Sequence, residues 1–129
     1  MTSMSSQRFT APLFTLFLTA LTLLGSQQAQ AHAHLKTQYP AANATMTDAP
    51  QALTLTFSEG IEPAFSGLTL TGPANAIIPT GAVKVDPANP MQLIVPIEKP
   101  LAAGDYQVQW HVVSVDSHKT QGNYQFSVK

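Results

Sequence analysis

Short runs of alternating apolar and polar residues fill much of this 129-residue chain after position 50. A period of two residues places one set of side chains on one face of a β-strand, whereas a helix requires a period of 3.6. The alternating runs are residues 53–57, 68–71, 93–97, 106–115 and 124–128, and two weaker segments are 36–39 and 82–85. Prolines and glycines fall between most of them and form turns. We therefore predict an all-β fold, a seven-stranded sandwich of the Ig-like or cupredoxin-like kind.

The residues before and within the longest run predict how the strands connect and which side chains form the core. Leu101 to Tyr106 have the form Leu-x-x-Gly-x-Tyr, which is typical of a tyrosine corner at a Greek-key crossing. A glycine turn followed by an ordinary core tyrosine fits the same residues, so both interpretations stay open. A period of two places Tyr106, Val108, Trp110 and Val112 on one face, which we expect to line the core.

Residues 1–31 have the parts of a secretory signal peptide in the usual order. Arg8 gives a short basic region, an apolar run of about 14 residues follows at 11–24, and Ala29-Gln30-Ala31 offers small residues for cleavage. The apolar run is shorter than the roughly 20 residues that span a bilayer as a helix, although an uncleaved anchor is an alternative. We predict cleavage after Ala31 and an exported domain of residues 32–129, with cleavage after Ala33 as the second option.

The composition of residues 32–129 excludes several functions. Seven acidic residues stand against five lysines, a formal charge near −2, whereas nucleic-acid binding requires clustered Lys and Arg. Cysteine is absent, which excludes disulfides, thiolate nucleophiles and the cysteine ligand of blue-copper sites. Such a domain must be held together by the packing of its core.

Four histidines are the main candidates for metal chemistry. Cleavage after Ala31 makes His32 the first residue, with an α-amine and a ring nitrogen that can chelate one metal ion. Asp116 and His118 follow the longest run, and their spacing can turn a carboxylate and an imidazole toward one point. An amine with two imidazoles approaches the square-planar arrangement that Cu(II) favours. A solvated turn is the alternative interpretation of Asp-x-His taken alone.

Three segments carry a family resemblance that extends over residues 32–129. They are a terminal histidine with a proline eight residues later (His32 to Pro40), Phe57-Ser58-Glu59, and Tyr106 to Gly122, which contains Val-Val-Ser-Val-Asp-Ser-His-Lys-Thr. Together they resemble the CopC family of periplasmic copper-resistance proteins in its short, stand-alone form. The resemblance implies a periplasmic Cu(II)-binding protein of copper homeostasis on a seven-stranded Greek-key sandwich. Such a protein buffers copper or hands it to a partner.

The resemblance also implies the ligands and the partner. One Cu(II) ion per chain is held by the amine and ring of His32, the ring of His118 and the carboxylate of Asp116, an arrangement called a histidine brace. Glu59 matches a position that approaches the metal in some members and is a candidate secondary ligand. An inner-membrane copper transporter of the CopD type is a candidate partner, and we expect a monomer.

Two other histidines have competing interpretations. In His32-Ala33-His34, a terminal amine, two deprotonated amides and the His34 ring can bind Cu(II) with four nitrogens in one plane. The simpler interpretation is that His34 is an exposed strand residue. His111 follows Trp110 and points to the opposite face, so we interpret it as a histidine of the outer sheet face. A contact between its ring and the metal site is the alternative.

The residue types also bear on oxidation state and on activity. Family members that bind Cu(I) carry a methionine-rich loop, whereas only Met46 and Met91 follow residue 31 here, which predicts a Cu(II)-only protein. We expect no enzyme activity. A copper-dependent oxidative enzyme is one alternative, but the carboxylate of Asp116 would stabilise Cu(II) against reduction. A metal-free sandwich module for protein interactions is the other.

Overall fold

The computed structural model describes residues 33–129, so the predicted signal peptide and His32 lie outside the described residues. Nine β-strands form in this part of the chain: β1 Leu35–Tyr39, β2 Thr45–Met46, β3 Ala52–Phe57, β4 Gly67–Thr71, β5 Ile77–Ile78, β6 Lys84–Asp86, β7 Asn89–Pro96, β8 Gly104–Val113 and β9 Lys119–Val128. Two single-turn 3₁₀ helices, Pro63–Phe65 and Pro73–Asn75, flank β4. Across residues 33–129 there is no helix long and apolar enough to cross a membrane.

The strands form two sheets, which confirms the predicted all-β sandwich. The first sheet has the order β1-β3-β7-β6 and the second has the order β2-β9-β8-β4-β5. Neighbouring strands are antiparallel except for β2 and β9, which are parallel. The chain crosses between the sheets repeatedly, including from β3 to β4, from β5 to β6 and from β7 to β8. The seven strands of three or more residues overlap the seven predicted ones, with different ends.

The core lies between the sheets and is built from the alternating residues. Leu53, Leu55 and Phe57 of β3 are fully buried, and the face of β8 that includes Val108 and Trp110 packs against them. The Phe57 and Trp110 rings meet edge to face with centroids 5.1 Å apart. Each fully buried side chain of this size contributes about 1.5–3 kcal/mol by its removal from water. Burial of one face of each strand is therefore what holds the two sheets together.

The crossing from β7 to β8 is a tyrosine corner, which decides between the two interpretations of this segment. The Tyr106 hydroxyl donates a hydrogen bond to the Ala102 carbonyl at 2.6 Å, and burial raises the pKa of this tyrosine. The Tyr106 ring also stacks on Phe126 of β9 at 5.4 Å. The corner thus attaches the connection between the two sheets to the core of the second.

Candidate metal centre

The candidate site lies at the turn between β8 and β9. The run predicted to extend to residue 115 ends instead at Val113, because Ser114 begins a hydrogen-bonded turn. The Ser114 amide donates to the His118 carbonyl at 2.9 Å, and the Ser117 amide donates to the Ser114 carbonyl at 2.8 Å. Ser117 takes a left-handed conformation with φ of 71°, which reverses the chain within five residues. The turn consequently brings the side chains of Asp116 and His118 to one side.

The Asp116 carboxylate and the His118 imidazole are in contact at the tip of this turn. The distance between His118 Nδ1 and Asp116 Oδ2 is 3.0 Å, and the two side chains are 51% and 33% exposed, respectively. The other carboxylate oxygen, Asp116 Oδ1, accepts hydrogen bonds from the Ser114 hydroxyl and, at 3.4 Å, from the His118 amide. The Ser114 hydroxyl, followed by His118, lowers the pKa of Asp116 to about 2. Asp116 is therefore a carboxylate at neutral pH, next to an imidazole and open to solvent.

The Ser114 side chain contacts this pair from the buried side of the turn. Ser114 is buried, and its hydroxyl also lies 3.3 Å from the His118 carbonyl oxygen. This buried hydroxyl lies between Asp116 Oδ1 and the His118 carbonyl oxygen, and it fixes the direction of the Asp116 carboxylate. Sequence reasoning did not single out Ser114, because nothing in a strand pattern distinguishes a polar residue that faces inward at the end of the strand.

The loop after β3 lies next to this turn and carries Glu59. The Val115 amide donates to the Gly60 carbonyl at 2.9 Å, and Ile61 forms a bridge with Ser114. Glu59 is half-buried and lies in the loop beside the turn. The backbone thus brings the loop of this candidate secondary ligand close to the Asp116 turn.

The beginning of the described chain lies against both of these segments. The Ser58 amide donates to the His34 carbonyl at 2.9 Å, and the Thr120 hydroxyl donates to the Ala33 carbonyl at 3.0 Å. Ala33 is buried with 1% exposure, and His34 is exposed directly before β1 begins. Thr120 is two residues from His118, so the neighbour of His32 is attached beside the candidate site. His32 itself lies outside the described residues.

Within residues 33–129 no group of three or more His, Cys, Asp or Glu side chains could hold a metal ion. Asp116 and His118 supply one imidazole and one carboxylate, donors that Cu(II) and Zn(II) accept, but a stable site needs more ligands. These two donors fit copper as part of a larger ligand set. The position of Ala33 makes the residue before it the nearest source along the chain.

His111 lies outside the turn that carries Asp116 and His118. It is exposed on β8, paired with Gln121 of β9, and its ring lies over Gly67 of β4. This position agrees with its predicted place on the outer face of the sheet. His111 is therefore a useful control for substitutions at His118.

Comparisons with known proteins show the family to which this chain belongs. The sequence profile of the CopC domain matches residues 35–129. Protein YobA from Escherichia coli K12 is 60% identical over 99 residues, 77% of this chain and 80% of that protein. Copper resistance protein C from E. coli is 38% identical over 107 residues, 78% of this chain and 84% of that protein.

A solved structure shows the same fold. The crystal structure of PcoC, a methionine-rich copper resistance protein from E. coli, has a TM-score of 0.70 and 36% sequence identity. The match covers 77% of this chain and all of that one. The profile, the relatives and the fold agree, and the chain therefore belongs to the CopC domain family.

Proposed function

We propose that this protein binds one Cu(II) ion in the periplasm and buffers it or hands it to a partner. The ligands are the α-amine and ring of His32, the ring of His118 and the carboxylate of Asp116. The observation that carries the proposal is the pairing of Asp116 and His118 at 3.0 Å beside the attachment of Ala33 to Thr120. Family membership supports copper as the metal, because relatives in this family carry copper-resistance names.

The chemistry of the pair suits a divalent cation. Asp116 is ionised at neutral pH and offsets one of the two positive charges of the ion. The imidazole of His118 supplies a nitrogen donor of the kind that Cu(II) prefers. The two groups already lie 3.0 Å apart, so both could reach one ion without a large movement. The Ser114 hydroxyl orients the carboxylate through its hydrogen bond to Asp116 Oδ1.

The remaining parts of the proposal concern processing and partners. Signal cleavage after Ala31 creates the terminal amine of His32, so the complete ligand set exists only in the exported form. Glu59, in the loop beside the turn, is the proposed secondary ligand. A membrane copper transporter of the CopD type is the proposed recipient, and the protein acts as a monomer.

Competition titration of Cu(II) against a chromophoric chelator tests the ligand set. With protein that begins at His32, His118→Ala and Asp116→Asn should each weaken binding by about tenfold or more, the range typical when a donor or its orienting partner is removed. His111→Ala is the matched control and should leave the affinity unchanged. Equal affinity of His118→Ala and the unsubstituted protein would contradict the proposal and favour a metal-free interaction module.

A non-catalytic role follows from the same ligand set. The carboxylate of Asp116 stabilises Cu(II), whereas reduction of oxygen requires access to Cu(I). Copper-loaded protein with ascorbate should therefore consume oxygen no faster than the same concentration of free copper. Faster consumption would indicate the oxidative enzyme instead.

A further inference from the structure

A single peptide group at the start of the described chain is hydrogen-bonded at both ends by side-chain hydroxyls. Its carbonyl, from Ala33, accepts a hydrogen bond from the Thr120 hydroxyl at 3.0 Å. Its N–H, from His34, donates to the Ser58 hydroxyl at 2.8 Å. We call Ser58, Thr120 and this peptide group the hydroxyl clamp.

The two hydroxyls come from opposite sheets of the sandwich. Ser58 follows β3 of the first sheet, and Thr120 belongs to β9 of the second. The Ser58 amide also donates to the His34 carbonyl at 2.9 Å, so Ser58 contacts the segment through both its side chain and its backbone. Ala33 is buried with 1% exposure. The peptide group therefore cannot rotate without breaking both clamp bonds and exposing the Ala33 side chain to water.

The orientation of this peptide group decides which nitrogen atoms can reach a metal ion. The four-nitrogen chelate of His32-Ala33-His34 needs the His34 backbone nitrogen as a ligand, stripped of its hydrogen. In the structure this nitrogen directs its hydrogen at Ser58 instead. A curled terminus would also have to pull the Ala33 carbonyl away from Thr120. The clamp is therefore incompatible with the four-nitrogen chelate.

We propose that Ser58 and Thr120 are positioning residues that exclude the four-nitrogen chelate and direct the N-terminal segment to the site at His118. The inference rests on the proposed function for its copper-dependent part, whereas the clamp itself can be measured without copper. Neither Ser58 nor Thr120 is a copper ligand in this proposal. Both act through the peptide group that they hold.

The first experiment uses the metal-free protein that begins at His32. Ser58→Ala should speed hydrogen exchange of the His34 amide, read by NMR, by about fivefold, the factor expected for one lost hydrogen bond. Ser58→Thr keeps the hydroxyl and should restore slow exchange. Exchange at the same rate in Ser58→Ala and the unsubstituted protein would overturn the clamp.

The second experiment records visible absorption during Cu(II) titration. Four nitrogens in one plane give a stronger ligand field than a site with a carboxylate oxygen, so the four-nitrogen chelate absorbs at shorter wavelength. Ser58→Ala and Thr120→Val should move the band to shorter wavelength, and Ser58→Thr and Thr120→Ser should leave it in place. His34→Ala alone should leave the band unchanged, but it should cancel the shift when added to Ser58→Ala.

The outcomes separate this inference from the proposed function. An unshifted band in both Ser58→Ala and Thr120→Val, while His118→Ala still weakens binding, would overturn the clamp and leave the proposed site intact. An affinity insensitive to His118→Ala would overturn the proposed site, and the metal-free exchange rates would still decide whether the clamp exists. The threonine and serine variants guard against a general loss of folding, since each keeps the hydroxyl.

Discussion

Two polar atoms in the core have no hydrogen-bond partner within residues 33–129: Trp110 Nε1 and Tyr124 Oη. Both residues face the core from the β8–β9 hairpin, where Val108 is the cross-strand partner of Tyr124. Desolvation by burial raises the pKa of Tyr124 well above its ordinary value of 10.0. A hydroxyl in this position lowers the free energy of unfolding, because its hydrogen bonds to water are lost on folding and not replaced.

Replacing Tyr124 by Phe should therefore keep or raise the free energy of unfolding. Removal of a buried hydroxyl without a partner is expected to stabilise the protein by about 1 kcal/mol. Urea denaturation followed by tryptophan fluorescence measures the change. Tyr39→Phe is the control, because Tyr39 is 53% exposed and its hydroxyl can reach water. A loss of stability in Tyr124→Phe would mean that the hydroxyl has a partner after all.

The same tyrosine predicts how stability depends on alkaline pH. The pKa of Tyr124 is higher in the folded than in the unfolded state, so the folded protein holds the hydroxyl proton more tightly. This difference does not lower the free energy of unfolding below pH 10, the unfolded pKa, but lowers it increasingly as the pH rises beyond that value. Unfolding free energies measured between about pH 9 and 11.5 should fall with pH, and should fall less steeply in Tyr124→Phe. Identical slopes in the two proteins would contradict a raised pKa for Tyr124.

Part of the candidate site could be predicted from sequence at the level of residues. Asp116 and His118 are two positions apart at the end of a strand, so their local spacing alone suggested that they could face one point. Ser58 and Thr120 could not be found in this way. Their hydrogen bonds reach 24 and 87 residues along the chain, and only the folded sandwich brings those atoms together.

Among the elements, the β8–β9 hairpin carries most of the site, and one glycine makes its packing possible. The two strands pair in continuous register from Gly104 opposite Val128 to Val113 opposite Lys119. Gly122 lies opposite Trp110, and a Cβ placed there would be 2.5 Å from Trp110 Cζ2. The indole ring therefore occupies the space that a side chain at position 122 would need.

Gly122→Ala should destabilise the protein by about 1–3 kcal/mol, the usual effect of forcing extra volume into a packed core. Gly67→Ala is a matched control, since a Cβ there would lie 2.5 Å from His111 Cε1, the far end of an exposed side chain that can turn away. Thermal unfolding of the two variants should show a clear loss for Gly122→Ala and a small one for Gly67→Ala. Equal losses would show that Trp110 moves as easily as His111.

The strands themselves were predictable where they are long enough to show a period. All seven predicted strands appear, and β3 and β8 bury the alternating residues that the sequence pattern selected. The strands β2 and β5 were missed because two residues cannot display an alternation. β2 exists because Thr45 and Met46 lie beside Ser127 and Val128 of β9, a parallel pairing set by the tertiary fold. The end of β8 was misplaced because hydrogen bonds in the turn, rather than polarity, end that strand.

On the scale of the whole molecule, the protein holds its two sheets together without a cysteine anywhere in its sequence. Its stability rests on one core and on the connections that cross between the sheets. Small domains of this kind are stable by only about 5–15 kcal/mol, so a bound ion can add a measurable share.

Cu(II) should raise the melting temperature of the protein that begins at His32. At free copper about 100 times the dissociation constant, binding to the folded state alone adds about 2.7 kcal/mol. Differential scanning calorimetry measures the shift. A protein with one extra residue before His32 lacks the terminal amine at that position and should show a much smaller shift. The same shift in both proteins would argue against the brace, since the folds are otherwise identical.

We expect the two halves of the proposed site to form at different stages of folding. Asp116 and His118 lie on a hairpin whose strands are neighbours in sequence, and such local contacts form early. The contact of Ala33 with Thr120 closes a separation of 87 residues, and contacts of that range form late because the entropy of a long loop must first be lost. An incompletely folded chain therefore offers copper two separate, weaker sets of donors. We therefore expect capture of the ion in the proposed arrangement only by molecules that have finished folding.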